Sequence, residues 1–114
     1  MTRNKNSTRY YSSRQEKNVA KSLNGKVVAN SGAITFGAGD VITDKFLIEC
    51  KTCVEPKKSF SIKKEWIKKN RQEAFAMGKQ YSALVFDFGD GEQHYVIDSK
   101  LFKQLQALLE SEEQ

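Results

Sequence analysis

Three charged residues near the middle of the chain have the types and spacing of a metal-dependent hydrolytic site. Asp40 follows a glycine-rich segment, and Glu49 and Lys51 follow the apolar run 46–48. Because side chains alternate across a strand, Glu49 and Lys51 share one face while Cys50 points to the other. Mg²⁺ prefers hard oxygen ligands, namely one or two carboxylates together with water. These residues predict a Mg²⁺ site, with Mn²⁺ as a substitute ion, in which Asp40 and Glu49 bind the metal and Lys51 assists an attacking water.

Two further groups extend this hypothesis. The backbone carbonyl of Cys50 would add a third oxygen, and Glu16, from a helix earlier in the chain, would complete the metal shell through a water molecule. Each residue also has a structural interpretation: Asp40 as a turn residue, Glu49 with Lys51 as an ion pair, and Glu16 as an exposed helical glutamate. The position of Glu49 favours a functional role, because an unpaired carboxylate on a central strand is costly.

Positive charge is concentrated in two segments that flank this cluster. Residues 1–26 carry seven Lys or Arg and one acid, and residues 51–71 carry eight Lys or Arg and two acids. Residues 85–114 are acidic, with seven acids and two lysines. Basic surfaces of this kind hold polyanions, so a nucleic-acid partner is expected. The candidates for phosphate contacts, chosen by position and charge, are Arg14, Lys17, Lys57, Lys58, Lys63 and Lys64.

Length and composition indicate a single globular domain. The 114 residues are 39% hydrophobic and 29% charged, and no apolar run approaches the roughly 20 residues of a membrane span. The polar N-terminus lacks the apolar core of a signal peptide, and two cysteines make no disulfide framework. We therefore expect an intracellular, cytoplasmic protein without a small-molecule cofactor. Cys50 and Cys53 form a C-x-x-C pair that lacks the further ligands of a structural zinc site.

Hydrophobic periodicity predicts the order helix, three strands, helix, two strands, helix, in one α/β domain with a small central mixed sheet. The predicted helices cover residues 12–23, 61–77 and 99–110. Strands are predicted over residues 26–30, 81–88 and 94–97, and a hairpin with its turn at residues 43–45 supplies the other two. Ser13 and Glu16 have the spacing of a capping box, and Asn24-Gly25 ends the first helix. The residues expected in the core are Val19, Ala20, Leu23, Ile62, Trp66, Ile67, Ala74, Phe75, Leu101, Phe102, Leu105, Leu108 and Leu109.

The charged residues and the element order together resemble the PD-(D/E)XK nuclease superfamily. The similarity rests on Asp40, on Glu49-Cys50-Lys51 after an apolar run, and on Glu16 in the preceding helix. A closer resemblance is to archaeal-type Holliday junction resolvases, and it covers residues 12–88. Gly39 stands where that family frequently has a proline. The matching segments are Arg14-Gln15-Glu16, Val27-Val28, Ser31-Gly32-Ala33, Gly39-Asp40 and Ile48-Glu49-Cys50-Lys51-Thr52.

The resemblance implies a restriction-endonuclease-like core and Mg²⁺-dependent cleavage of four-way DNA junctions by a homodimer. Glu16, Asp40, Glu49 and Lys51 would be catalytic, and Ser31 would join the DNA contacts. Residues 12–110 would form a single nuclease domain between a flexible basic tail, 1–11, and an acidic tail, 111–114. Three alternatives stay open: a related restriction or repair nuclease acting on linear duplex DNA, an inactive DNA-binding module, and a protein-interaction domain with a structural ion pair.

Overall fold

A computed structural model describes residues 7–28 and 40–112 of the chain. Five strands form one mixed sheet in the order β1-β2-β3-β4-β5, in which β3 and β4 are parallel and the other neighbours antiparallel. This confirms the predicted α/β class and the predicted order of elements. The elements are α1 (Ser7–Leu23), β1 (Lys26–Val28), β2 (Asp40–Ile42), β3 (Phe46–Lys51), α2 (Lys64–Ala76), β4 (Tyr81–Phe86), β5 (His94–Val96) and α3 (Ser99–Glu112).

Helices α1 and α2 cover opposite faces of the central strands. Val19 and Ala20 of α1 pack on alternate residues of β3, Ile48 and Cys50, within the main buried cluster. Residues on the other face of β3 meet α2, where Asn70 donates a hydrogen bond to the Leu47 carbonyl oxygen (3.5 Å). The connection from β3 through α2 to β4 is the crossover that a parallel strand pair requires. Strand β3 is therefore buried on both faces and is the natural support for a site at its end.

Helix α1 begins earlier than predicted. Its first residue is Ser7, so Ser13 and Glu16 lie inside the helix and the predicted capping box is wrong. The predicted end is confirmed, because Asn24 adopts a φ of 55° and the Gly25 N–H donates to the Ala20 carbonyl oxygen (2.8 Å). A Cβ at Gly25 would lie 2.6 Å from the Ile42 carbonyl oxygen, so glycine permits the close approach of this turn to β2.

The hairpin that carries the candidate site forms where it was predicted. The Thr43 N–H donates to the Phe46 carbonyl oxygen (3.0 Å), and the Phe46 N–H donates to the Thr43 hydroxyl oxygen (3.1 Å). The other strands are shorter than expected: β4 ends at Phe86 and β5 at Val96. For β1, which ends at Val28, predicted residues 29 and 30 lie outside the described range.

Several predicted core residues are exposed instead. Leu23 is exposed at the end of α1, and the Phe75 side chain is 86% exposed near the end of α2. Helix α2 begins three residues later than predicted and buries Asn70 and Ala74. In α3 only Leu101 is buried, and Ser111 and Glu112, predicted as part of a tail, are helical. The remaining predicted core residues of α3, which are exposed, are Phe102, Leu105, Leu108 and Leu109. Among the described helices, none has the length and apolar content that crossing a bilayer would take.

Candidate functional site

The β2–β3 hairpin brings the two predicted metal ligands face to face. Asp40 is the first residue of β2 and lies directly opposite Glu49 of β3 in the antiparallel register. Directly opposite residues project from the same face of the sheet, with Cβ atoms about 5 Å apart. Glu49 is buried and Asp40 is partly buried. Two carboxylates that lie nine residues apart in sequence are therefore neighbours on the α2 face.

Lys51 is held between a carboxylate and an aromatic ring. Its Nζ atom lies 3.1 Å from Glu49 Oε2 and 4.4 Å from the centroid of the Trp66 ring. Trp66 stands at the start of α2, and Phe60 connects it to the stacked Phe86 ring. An ion pair and a cation–π contact together restrict the position of the lysine side chain. The ammonium group therefore has a defined place beside the carboxylate pair.

Negative charge is in excess around Asp40. The pKa of this carboxyl group is raised from 3.8 to about 6, first by its burial and then by the charges of Glu49, Glu73 and Glu16. Lys69 acts in the opposite direction, with a smaller effect. Burial and like charge both disfavour the carboxylate form, and a bound cation would favour it. The electrostatic surroundings of Asp40 thus suit a cation ligand better than a structural turn residue.

The two supporting groups of the predicted site lie nearby. Glu16 is partly buried on α1, and its charge raises the pKa of both Asp40 and Cys50. Burial is the main cause that raises the pKa of the Cys50 thiol, which packs in the core. Because that thiol stays protonated, the backbone carbonyl is the group through which this position would serve a hard cation. The position of Cys50 on β3, between Glu49 and Lys51, is the one predicted.

The donor set suits Mg²⁺ more than a softer metal. Within residues 7–28 and 40–112, no group of three or more His, Cys, Asp or Glu side chains is placed to hold a metal ion. The adjacent donors are the carboxylates of Asp40 and Glu49. Mg²⁺ is commonly bound by one or two carboxylates, with water and substrate phosphate filling the other positions. The residues present therefore fit a Mg²⁺ ion that is completed by water and substrate.

The predicted phosphate-contact residues lie on the surface. Arg14 and Lys17 are exposed on α1, while Lys57 and Lys58 are exposed in the loop between β3 and α2. Lys63 and Lys64 are exposed at the start of α2, and Lys63 Nζ lies 5.7 Å from the Trp66 ring centroid. Ser31 falls outside the described residues. Lys57, Lys58, Lys63 and Lys64 thus lie on the loop and the helix end that place Trp66 against Lys51.

A polar network between the end of β3 and helix α1 was not predicted from the sequence. Gln15 is buried, and its Nε2 donates to the Lys51 carbonyl oxygen (2.6 Å) and to Gln93 Oε1 (2.9 Å). Gln93 Nε2 donates to Asp87 Oδ2 (2.9 Å), and Thr52 Oγ1 donates to Asp87 Oδ1 (2.7 Å). The network ties α1 and the β4–β5 turn to the backbone of Lys51. It borders a polar cavity of about 300 Å³.

Comparison with known proteins gave no relative. The chain matches no protein-family model, no curated protein and no solved structure. The arrangement of side chains therefore carries the functional argument.

Proposed function

We propose that the chain is a Mg²⁺-dependent endonuclease of the PD-(D/E)XK type that hydrolyses phosphodiester bonds in branched DNA, most specifically in four-way junctions. The restriction-endonuclease-like core and a homodimer with two such sites belong to the same proposal. The observation that carries it is the pairing of Asp40 with Glu49 across the hairpin, with Lys51 Nζ 3.1 Å from Glu49 Oε2. The choice of four-way junctions as the substrate rests on the sequence resemblance to Holliday junction resolvases.

Asp40, Glu49 and the Cys50 carbonyl would hold the metal ion, and Glu16 would reach it through a water molecule. When bound, Mg²⁺ neutralises phosphate oxygens and lowers the pKa of a coordinated water. Excess negative charge around Asp40 supports this assignment, because burial and three neighbouring acids raise the pKa of Asp40 to about 6. A divalent cation would neutralise this excess of negative charge.

Lys51 would act on the attacking water and on the charge that develops at phosphorus. Its ammonium group donates hydrogen bonds and carries a positive charge, which are the two properties that a phosphorane-like transition state needs. Contacts with Glu49 and with the Trp66 ring restrict this ammonium group to a position beside the carboxylate pair. Lys51 is thus assigned a catalytic role, and Trp66 the role of a positioning residue.

Exposed basic residues near the site would position the DNA by its phosphates. Lys57, Lys58, Lys63 and Lys64 lie on the loop and helix end beside Trp66, and Arg14 and Lys17 extend along α1. Such contacts are insensitive to sequence and weaken as salt concentration rises. Selection of a four-way junction would then depend on the shape of the DNA and on the relative placement of two sites.

A cleavage assay on matched substrates tests this proposal. Purified protein with Mg²⁺ is offered an immobile four-way junction and a linear duplex that contains the sequence of one arm pair. We expect paired incisions in opposite strands of the junction and little cutting of the duplex. Equal cutting of both substrates would reject the junction claim and favour a nuclease for linear DNA. Binding without any cutting would reject the enzyme claim and favour a DNA-binding module.

A further inference from the structure

Helix α3 presents an apolar stripe that residues 7–28 and 40–112, the described part of the chain, leave uncovered. Its first turn is anchored, because the Leu101 N–H donates to Asp98 Oδ1 (2.8 Å) and the Leu101 side chain is 6% exposed. Every later residue of α3 that the structure describes is exposed. The exposed fractions of Phe102, Leu105, Leu108 and Leu109 are 57, 41, 60 and 64%. A helix of 14 residues is marginal in water without tertiary packing, so this stripe needs a partner surface.

The stripe has two-fold symmetry in sequence. Leu105 is the midpoint between Leu101 and Leu109 and also between Phe102 and Leu108. At 100° per residue, all five side chains fall within an arc of about 120° that is centred on Leu105. A two-fold interface is self-complementary, so residues equally distant from the centre face each other across it. An antiparallel pair of α3 helices that crosses at Leu105 would therefore set the exposed Phe102 of each copy against Leu108 of the other, while Leu101 stays in the core of its own chain.

Charge at the two ends of α3 favours the same antiparallel arrangement. The N-terminal end borders a groove of about 520 Å³ whose lining includes three basic residues, Lys100, Lys79 and Arg71, together with Phe75. The lining also includes one acid, Asp98, which lies 3.7 Å from the Arg71 guanidinium, so positive charge is in excess. The C-terminal end carries Glu110 and Glu112 and has no basic residue in its last turn. Within one chain this distribution opposes the helix dipole, which favours acids at the N-terminus and bases at the C-terminus. A second, antiparallel copy would place its acidic end beside the basic groove.

We propose that α3 is a homodimerisation helix, which pairs antiparallel with α3 of a second copy about a two-fold axis at Leu105. The exposed Phe75 ring borders the groove at the basic end and would pack against the last turn of the second copy's helix. The surface named here is the one that the proposed nuclease dimer would use. The residues that define this surface, however, belong only to α3 and the adjacent end of α2, so the helix can pair whether or not the chain cuts DNA.

Molecular mass in solution gives the first test. The full chain, without DNA or metal, is measured by sedimentation equilibrium over a range of concentrations, together with Leu105→Arg and Ala107→Arg. Wild type and Ala107→Arg should be dimers, because Ala107 lies on the opposite side of α3 from the stripe. Leu105→Arg should weaken dimerisation about a hundredfold or more, since it buries a charge at the centre of the interface. Circular dichroism should show all three chains folded, because residue 105 is exposed within one chain.

Disulfide cross-linking tests the direction of pairing. In an antiparallel pair, two copies of position 105 meet at the axis, whereas two copies of position 109 lie about 12 Å apart along the helices, at a rise of 1.5 Å per residue. A disulfide requires Cβ atoms about 4 Å apart. Under mild oxidation, Leu105→Cys should therefore form a covalent dimer and Leu109→Cys should not. The native Cys50 and Cys53 are buried, and wild type serves as the background control.

A monomeric wild type, or a Leu105→Arg variant that dimerises as well as Ala107→Arg, would overturn the dimer proposal. Cross-linking of Leu109→Cys as readily as Leu105→Cys would indicate parallel pairing and would overturn the antiparallel arrangement. A monomeric wild type would also remove the homodimer from the proposed function, but it would leave the single site of Asp40, Glu49 and Lys51 and its cleavage chemistry standing. A chain that dimerises without cutting DNA would reject the nuclease and support the dimer.

Discussion

Two aspartates near the ends of β2 and β4, the strands on either side of β3, differ in the hydrogen bonds that their side chains receive. Asp87, which follows β4, is buried and accepts hydrogen bonds from Thr52 Oγ1, Gln93 Nε2 and the Gly89 N–H. The side chain of Asp40, which begins β2, accepts no hydrogen bond from the residues that the structure describes, and burial and neighbouring acids raise the pKa of its carboxyl group to about 6. A carboxylate removed from water needs donors or an opposite charge. The chain supplies donors to Asp87, whereas no described residue donates to the Asp40 side chain. Under the proposed function, Asp87 is therefore a structural acid, and Asp40 is the one that would bind a cation.

The largest predicted effect is on cleavage. Asp40→Asn and Lys51→Ala should each lower the rate of junction cleavage about a thousandfold, because one removes a metal ligand and the other the group that assists the water. Single-turnover cleavage under saturating protein measures this, and gel-shift binding to the junction should change little. Asp87→Asn is the matched control and should cut normally per folded molecule. If Asp40→Asn cuts as well as Asp87→Asn, the two aspartates have been assigned the wrong roles.

Asp87 should dominate stability instead. Asp87→Ala removes the acceptor of three hydrogen bonds and leaves their donors in a partly buried region. We expect the free energy of unfolding to fall by about 3 kcal/mol. Urea unfolding measures the loss, with Asp90→Ala as a matched control. Asp90 is exposed and accepts one backbone hydrogen bond (3.1 Å), so its loss should cost less than about 1 kcal/mol. If Asp87→Ala and Asp90→Ala lower the free energy of unfolding equally, Asp87 does not have the structural role assigned to it.

The smallest predicted effect is a gain of stability in the metal-free protein. The pKa of Asp40 is raised from 3.8 to about 6, so the folded chain binds this proton more tightly than the unfolded chain does. The stability that Asp40 contributes is therefore fully present below about pH 4 and is lost as pH rises through about 6. Asp40→Asn avoids this loss and should be more stable than wild type by about 1 kcal/mol at pH 7, after allowance for solvent screening.

Urea unfolding of both chains in the presence of a chelator at pH 4 and pH 7 measures this gain. Asp40→Asn and wild type should differ more at pH 7 than at pH 4. A stability difference that is the same at both pH values, or that favours wild type at pH 7, would mean that the charge of Asp40 is already compensated within the chain.

The hairpin could be predicted from sequence because its signals are local. Alternation along residues 46–51 placed Glu49 and Lys51 on one face of β3. A polar turn at residues 43–45 then brought Asp40, on the paired strand, beside Glu49 on that same face. The Asp87 network could not be predicted in the same way. It joins Gln15 to Gln93 across 78 positions, and no local pattern marks either glutamine as buried. The sequence therefore points to Asp40, the proposed metal ligand, but gives no sign that Asp87 is buried in a hydrogen-bond network.

The core assignment of α3 was wrong for a related reason. Periodicity shows that a helix has an apolar face, but it does not show what covers that face. Leu101 meets the chain's own core, whereas Phe102, Leu105 and Leu108 do not. Leu23 and Phe75 were misplaced similarly, since each lies near a helix end where spacing alone cannot distinguish an inward from an outward side chain. Whether a helix face is covered by its own chain or by another molecule depends on contacts between segments that are distant in sequence or in different molecules, and periodicity does not report these contacts.

Calorimetric titration with Mn²⁺, and then with Mg²⁺, tests the central claim most directly, on wild type, Asp40→Asn and Asp87→Asn. The account predicts a divalent-cation site in wild type that survives in Asp87→Asn and is lost, or weakened at least tenfold, in Asp40→Asn. Equal cation affinity in wild type and Asp40→Asn would contradict it, because the carboxylate pair could then not be the metal site.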